Sequence, residues 1–307
     1  MSTTRRDFFA YGGAGVMGAA LAAGGVGVGS APRAALAQAA QNKLNIRIAG
    51  RTGTLGVGGL DVEVLARAKK VGLEGVEIEA GSPGDTLGCW DKDLQKRFLE
   101  EAEKTGIAVA SVCMGLCNSN PVFSDPRAKS WLEGTIDATK ALGAKAILVA
   151  FFGNGDLRIK GQSRPRPDDA AKTIEIMKSV AERAEKAGVV LGLENTLPAE
   201  ANVEIVDAIG SPAVRVYYDI GNSSNYGYDV PKEIRLLGTK YICQIHFKDT
   251  SRGGALLGQG DLKMAPIAKA VCDIGYEGWI VLETGRPLGA EASAAYNTGF
   301  IRGLFCG

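Results

Sequence analysis

Four apolar segments in the second half of the chain each carry a polar side chain near their carboxyl end. The segments run from 189 to 195, from 214 to 222, from 241 to 249 and from 279 to 284. They are rich in Val, Ile, Leu and Tyr, and stretches with helical character separate them. This alternation predicts parallel strands joined by crossover helices, with all carboxyl ends pointing the same way. We therefore expect the polar ends of the four strands to meet at one face.

The side chains at these ends form a set that can bind a metal ion: Glu194, Asp219, His246 and Glu283. His246 is the only histidine in the sequence. Three converging carboxylates repel one another unless a cation lies among them. Oxygen ligands with one imidazole suit Mn²⁺, or alternatively Mg²⁺ or Co²⁺, better than a structural zinc held by thiolates. One such strand would indicate only a solvated rim of charges, but four in succession favour a metal site.

The first half of the chain shows the same alternation. Apolar runs at 44 to 50, 75 to 80, 107 to 113 and 144 to 152 are separated by segments with helical character. Both halves together contain eight strand segments and eight helix segments, the number that closes a barrel. We predict an α/β fold, a single (β/α)8 TIM barrel over residues 43–307, with its active site at the carboxyl ends of the strands.

Five short motifs follow one another in a fixed order. They are Leu-Glu-Asn-Thr at 193–196, Tyr-Asp-Ile-Gly-Asn at 218–222, Ile-His-Phe-Lys-Asp at 245–249, Leu-Gly-Gln-Gly-Asp at 257–261 and Leu-Glu-Thr at 282–284. This ordered set resembles the signatures of the xylose isomerase-like barrels. That family includes sugar isomerases and epimerases such as the D-tagatose and L-ribulose 3-epimerases. The resemblance extends from residue 44 to the C terminus and is strongest in the second half.

The resemblance implies a metal-dependent reaction on a sugar. In such enzymes a divalent ion stabilises an enediolate, while two glutamates exchange protons with opposite faces of the substrate. Here Glu194 and Glu283 match the two glutamates and also match metal ligands. Asp219 and His246 match residues that act mainly as ligands.

Four further positions follow from the same motifs. Glu200 and Arg252 match groups that hold substrate hydroxyls, although Arg252 also fits a surface loop beside two glycines. Asp249 is expected to orient a neighbouring side chain of the site. Asn222 stands where the epimerase signature has histidine, and it can donate to a substrate oxygen but cannot titrate near neutral pH. This departure leaves the particular reaction open.

Three functions are compatible with these residues. The first is a divalent-metal-dependent isomerase or epimerase of an unphosphorylated sugar. The second keeps the metal and the enolate but eliminates or adds water, as a lyase or hydratase of 3-keto-glycosides would. The third is a secreted, non-catalytic sugar-binding protein, against which Glu194 and Glu283 argue. A single histidine excludes close kinship with the abasic-site endonucleases of this fold, which bind several zinc ions through many histidines.

The first forty residues differ from the barrel in composition. Thr-Arg-Arg-Asp-Phe-Phe at 4–9 precedes an uncharged stretch rich in Gly and Ala at 10–28, and Ala-Leu-Ala follows at 35–37. This arrangement resembles a twin-arginine signal peptide with a signal-peptidase site. The alternative is a single membrane anchor. We predict a cleaved signal peptide and linker over residues 1–40, a periplasmic protein and no stable membrane association after cleavage.

Charge and cysteine content bear on partners and on redox state. The net charge of the 307-residue chain is +1, which gives no reason to expect nucleic-acid binding. A homo-oligomer is expected by analogy with other barrels.

The spacing of the six cysteines matches no zinc site, so free thiols are favoured, with a bridge between Cys113 and Cys117 as the alternative. The basic, glycine-rich segment 153–167 is interpreted as a lid, with a phosphate site as the alternative.

Overall fold

The strands of the chain close into a barrel in a computed structural model, which describes residues 45–249 and 254–306. Each strand pairs in parallel with the next one in sequence, and the eighth pairs with the first. This confirms the predicted (β/α)8 barrel. The strands are β1 (Ile46–Arg51), β2 (Gly75–Glu79), β3 (Ala108–Met114), β4 (Ala146–Ala150), β5 (Val190–Glu194), β6 (Val214–Asp219), β7 (Ile242–Phe247) and β8 (Gly278–Leu282).

Helices follow the strands and cover the outside of the barrel. Glycines in the left-handed region end several of them, for example Gly106 (φ 74°) and Gly188 (φ 69°), because a side chain is strained in that conformation. The α-helices are α1 (Glu63–Lys70), α2 (Lys92–Thr105), α3 (Ala128–Ala141), α4 (Pro167–Ala187), α5 (Ala199–Ile209), α6 (Ile220–Asn225), α7 (Val230–Tyr241), α8 (Met264–Asp273) and α9 (Ala290–Cys306).

The short helix α6 corrects one prediction. The strand expected from 214 to 222 ends at Asp219, and α6 begins at the next residue. The Asp219 carboxylate causes this change of direction because it accepts hydrogen bonds from the backbone N–H groups of Gly221 and Asn222. The capping interaction leaves the second oxygen of Asp219 available to the interior.

The interior of the barrel contains several small side chains beside the buried Tyr217. One apolar cluster inside the strands contains Ala49, Ala110, Leu148 and Ala150, while a larger cluster fills the space between strands and helices. Small residues inside the barrel leave room for charged side chains at its carboxyl end. Cys113 and Cys117 are buried and free, as the favoured interpretation predicted.

A close approach between α3 and a tryptophan gives a first testable prediction. A Cβ on Gly134 would overlap the Trp90 indole. We expect Gly134→Ala to lower the free energy of unfolding by about 1–3 kcal/mol, because the ring must shift. Gly299 in α9 is the matched control, since it is exposed and open space surrounds it. Gly299→Ala should be neutral or stabilising by about 0.5–1 kcal/mol. Equal urea midpoints for the two variants would contradict this packing.

Two sequence predictions fall on residues that the structure does not cover. The export signal over residues 1–40 and the domain boundary near residue 43 lie outside the described residues, and both stay predictions. Among the helices of residues 45–249 and 254–306, none combines the length and the apolar character that crossing a membrane requires.

Candidate metal centre

The four predicted ligands come from four neighbouring strands. Glu194 and Asp219 are the last residues of β5 and β6, His246 lies in β7, and Glu283 follows β8 directly. One ligand atom of each residue lies within 4.8 Å of those of the other three. The carboxyl ends of the strands therefore bring together side chains that are far apart in sequence. We call these four residues the ligand cluster.

The spacing inside the ligand cluster fits one divalent ion. The Nδ1 atom of His246 lies 3.2 Å from Glu194 Oε1, 3.5 Å from Asp219 Oδ2 and 3.6 Å from Glu283 Oε2. Metal–ligand bonds of about 2.0–2.2 Å place neighbouring ligand atoms roughly 2.8–3.6 Å apart. Three oxygen donors and one imidazole nitrogen also match the preference of Mn²⁺ and similar ions.

Asp219 presents a fixed, buried oxygen to the ligand cluster. Its Oδ1 accepts backbone N–H groups at 2.7 and 2.8 Å, which fixes the carboxylate. Its Oδ2 is buried, lies 3.5 Å from His246 Nδ1 and forms an ion pair with the Lys248 ammonium at 2.9 Å. A buried carboxylate oxygen requires a cationic or hydrogen-bonding partner. The residues present therefore fit a divalent metal.

Glu77 in β2 fixes the orientation of the histidine. Its Oε1 lies 3.2 Å from His246 Nε2, and its Oε2 accepts hydrogen bonds from Tyr217 (2.6 Å) and Ser111 (2.8 Å). Burial alone would raise the pKa of Glu77, but His246, Arg51 and Tyr217 outweigh it and lower this pKa to about 2. An ionised carboxylate on Nε2 keeps Nδ1 directed at the ligand cluster, as in other metal-binding histidines.

Arg51, the last residue of β1, connects three carboxylates at the same end of the barrel. Its guanidinium contacts Glu77 Oε1 at 3.1 Å and Glu79 Oε1 at 2.7 Å, and it also donates to Glu283. Burial opposes the charge of Arg51, but these carboxylates and the neighbouring Cys113 outweigh it and raise its pKa. Arg51 therefore remains charged. It donates to Oε1 of Glu283, while Oε2 of the same carboxylate lies 3.6 Å from His246 Nδ1.

The charges of the ligand cluster oppose one another in the absence of a metal. Burial first, and then the charges of Glu283 and Asp219, raise the pKa of Glu194 to about 7, with His246 acting in the other direction. Burial lowers the pKa of His246, but the carboxylates of Glu77, Glu194 and Glu283 outweigh it and raise this pKa well above its usual value. A divalent cation would replace the imidazolium proton as the counter-charge.

A cleft of about 220 Å³ opens over the ligand cluster. Ligand pockets for drug-sized molecules usually measure roughly 300–1,000 Å³, so this cleft suits a small ligand. Its lining combines charged, amide and apolar side chains, with the charged groups at the metal end. The lining residues are Arg51, Cys113, Gly115, Asn118, Leu148, Ala150, Phe152, Glu194, Asn222, Lys248 and Glu283.

The sequence profile of the xylose isomerase-like TIM barrel family matches residues 65–303. The chain belongs to this family. The profile spans β2 to β8, so it includes all four members of the ligand cluster. The resemblance carried by the five motifs is therefore confirmed.

Individual members of the xylose isomerase-like family are distant relatives. The chain is 26% identical over 186 residues to the 2-epi-5-epi-valiolone 7-phosphate 2-epimerase of an Actinoplanes species. That match covers 59% of this chain and 65% of the epimerase, slightly less than two thirds of its length. Two solved structures share the fold. An L-ribulose 3-epimerase has a TM-score of 0.69 at 23% identity, with 85% of this chain and 94% of the other covered. The 3-keto-D-glucoside 4-epimerase of E. coli has a TM-score of 0.69 at 14% identity, with 84% and 99% covered.

Asn222 lines the cleft over the ligand cluster, where a residue that contacts substrate would lie. Its Nδ2 donates to Glu194 Oε1 at 3.2 Å. An uncharged amide thus holds the glutamate at the position where the epimerase signature has histidine. The amide itself cannot titrate.

The other predicted positions differ in how the structure places them. Glu200 is exposed in the first turn of α5 and is absent from the described lining. Arg252 lies outside the described residues, so its role stays a prediction. Asp249 is buried and accepts backbone N–H groups of Gly258, Gly260 and Leu262, each at 3.0 Å. Asp249 thus holds the backbone of the loop after β7, and its expected role in orienting a side chain of the site stays a prediction.

Three charged residues at the site had no role assigned from the sequence. Glu77 supports His246, Arg51 links carboxylates from different strands, and Lys248 contacts the ligand cluster directly. Lys248 lies two residues after His246, so the twofold period of a strand directs both side chains to the same face. This spacing in the sequence could have identified Lys248 as a residue of the site.

Proposed function

We propose that the protein is a divalent-metal-dependent epimerase or isomerase that acts on an unphosphorylated sugar. The observation that carries this proposal is the pairing of Glu194 and Glu283. Both line one small cleft, and both contribute an oxygen to the same four-residue ligand cluster. A substrate bound at the ion would therefore have two carboxylates within reach.

The residues of the cleft can carry the chemistry of such a reaction. When bound, a divalent ion supplies Lewis acidity towards the carbonyl and hydroxyl oxygens of the sugar. One glutamate accepts the proton from the carbon beside the carbonyl, and the other donates a proton to the opposite face. Glu194 suits the role of base, because its carboxylate lines the cleft in which a substrate would lie. Asn222 holds that carboxylate by its amide hydrogen bond.

The relatives support the epimerase class, and the basic loop supports a substrate without phosphate. The Actinoplanes relative is named as an epimerase of a 7-phosphate. In this chain, however, two arginines of segment 153–167 are engaged by the protein itself. Arg158 donates to Thr196 at 3.2 Å, and Arg166 pairs with Asp169. Both guanidiniums therefore have partners within the protein, whereas Lys160 and Arg164 of the same segment are exposed.

Metal removal and isotope exchange test the proposal together. Chelator-stripped protein should lose at least about 99% of its activity on its ketose substrate, and Mn²⁺ should restore it, since the ion stabilises the enediolate. A panel of free ketoses is incubated in D₂O and followed by NMR. Deuterium at the inverted carbon is the expected result. Turnover that is unaffected by complete metal removal would contradict the proposal.

A second candidate function keeps the same metal and enolate. Asn222 in place of the epimerase histidine favours a lyase or hydratase of 3-keto-glycosides, because elimination does not need a second titrating group at that position. The same NMR experiment with a 3-keto-glycoside distinguishes the two functions, since release of the aglycone indicates elimination. Sugar binding without turnover on any substrate, with metal present, would indicate a non-catalytic binding protein.

Export to the periplasm is part of the same proposal and has its own test. Replacing Arg5 and Arg6 with lysine should retain the protein in the cytoplasm, because both arginines belong to the twin-arginine motif. Cell fractionation measures the distribution. Unchanged export of the double variant would contradict a twin-arginine route.

A further inference from the structure

The ammonium group of Lys248 lies against the same oxygens that would bind the metal. Its Nζ is 2.9 Å from Asp219 Oδ2 and 2.7 Å from Glu283 Oε2. These two oxygens are also the ones that lie 3.5 and 3.6 Å from His246 Nδ1. A divalent ion in the ligand cluster would therefore share these two oxygens with the ammonium.

Gly221 provides the space for this arrangement. A Cβ at Gly221 would overlap Lys248 Cγ and would lie 2.8 Å from its Cε, so the lysine stem crosses the backbone of α6 where a side chain is missing. The N–H of Gly221 is bound by Asp219, the same residue whose other oxygen contacts the ammonium. The position of Lys248 is thus built by the fold and is not that of a freely moving surface lysine.

We propose that Lys248 is a resident counter-cation of the metal centre. In the metal-free protein it neutralises Asp219 and Glu283, and it gives way when a divalent ion binds. Lys248 therefore stabilises the empty site and weakens its affinity for metal, which makes metal loading reversible. The inference rests on the proposed metal dependence and extends it to the control of metal occupancy.

The test compares Mn²⁺ binding to the chelator-stripped full-length chain, wild type and Lys248→Met, by calorimetry at one fixed pH. Methionine retains the length of the stem but removes the charge. We expect Lys248→Met to bind Mn²⁺ about tenfold more tightly or better, because two oxygens lose a competing cation. Lys178→Met, at an exposed position of α4, is the matched control and should bind like wild type.

Thermal unfolding supplies a second readout that does not depend on activity. The metal-free Lys248→Met variant should melt below the wild type, since its buried carboxylates lose their counter-charge, and saturating Mn²⁺ should raise its melting temperature more than that of the wild type. If this variant does not fold, Gly221→Ala keeps the charge but displaces the stem, and it should also tighten Mn²⁺ binding.

The outcomes separate this inference from the proposed function. Mn²⁺ binding to the wild type with equal or weaker binding to the folded Lys248→Met variant would overturn the counter-cation role and leave metal dependence intact. Failure of the wild type and of every variant to bind Mn²⁺, Mg²⁺ or Co²⁺ would overturn both.

Discussion

Replacing Glu283 with glutamine should lower the rate of sugar epimerisation by about 10²–10⁴-fold, the usual contribution of a general acid or base. Glutamine keeps an oxygen that can bind the ion, but it cannot carry the proton. Glu194 remains in this variant, so one face of the substrate can still exchange its proton. We therefore expect that Glu283→Gln incorporates solvent deuterium into one epimer while inversion stops. Glu194→Gln should show the same exchange with the opposite epimer.

A glutamate outside the cleft provides the control for this prediction. Glu204 is exposed in α5, and Glu204→Gln should retain the wild-type rate. Mn²⁺ titration of Glu283→Gln separates loss of the proton carrier from loss of the ligand. Inversion at the wild-type rate in Glu283→Gln would show that this carboxylate does not carry the proton.

We expect the buried Glu77 to contribute more to the free energy of unfolding than an exposed charged residue does. Its carboxylate is 1% exposed and holds His246, Arg51, Tyr217 and Ser111 together. We expect Glu77→Ala to lower the free energy of unfolding by about 3–5 kcal/mol, because it leaves the buried His246 and the half-buried Arg51 without one of their partners. Urea denaturation of the metal-free protein measures the change.

An exposed ion pair gives the comparison for Glu77. Glu63 in α1 pairs with Arg67 at 2.9 Å, with half of each side chain or nearly so in solvent. Glu63→Ala should change the free energy of unfolding by less than about 1 kcal/mol. If Glu77→Ala costs no more than Glu63→Ala, the buried network does not stabilise the barrel as we describe.

The barrel and the ligand cluster could be predicted because both follow from local patterns. Each strand is a short apolar run, and parallel strands place their last residues at one face. Glu194, Asp219 and Glu283 each stand at or directly beyond such an end. Their convergence therefore needed only the direction of the strands, which the alternation with helices supplies.

The supporting charges could not be predicted because they depend on closure of the barrel. Glu77 and His246 are 169 positions apart, and they meet across the barrel interior. Alternation in β2 directs Glu77 and Glu79 to one side, but it does not identify the partners they find there. The same limit applies to Arg51, whose three carboxylate partners come from β2 and from the end of β8.

The contacts of the loops could not be predicted either, because they depend on small details of the backbone geometry. Asp249 follows His246 by three residues, which suggested contact with a side chain of the site. The sequence did not indicate that Asp249 binds three backbone N–H groups of the loop after β7. The sequence did not predict helix α6 for a similar reason. This helix begins within an apolar run, and a single carboxylate caps its first turn.

The central claim is that one divalent ion joins four side chains at the mouth of the barrel. Crystals soaked in Mn²⁺ and measured for anomalous scattering test it most directly. We expect a single strong peak about 2.0–2.3 Å from His246 Nδ1 and from one oxygen each of Glu194, Asp219 and Glu283. A fully soaked crystal with no peak within bonding distance of these atoms would contradict the claim.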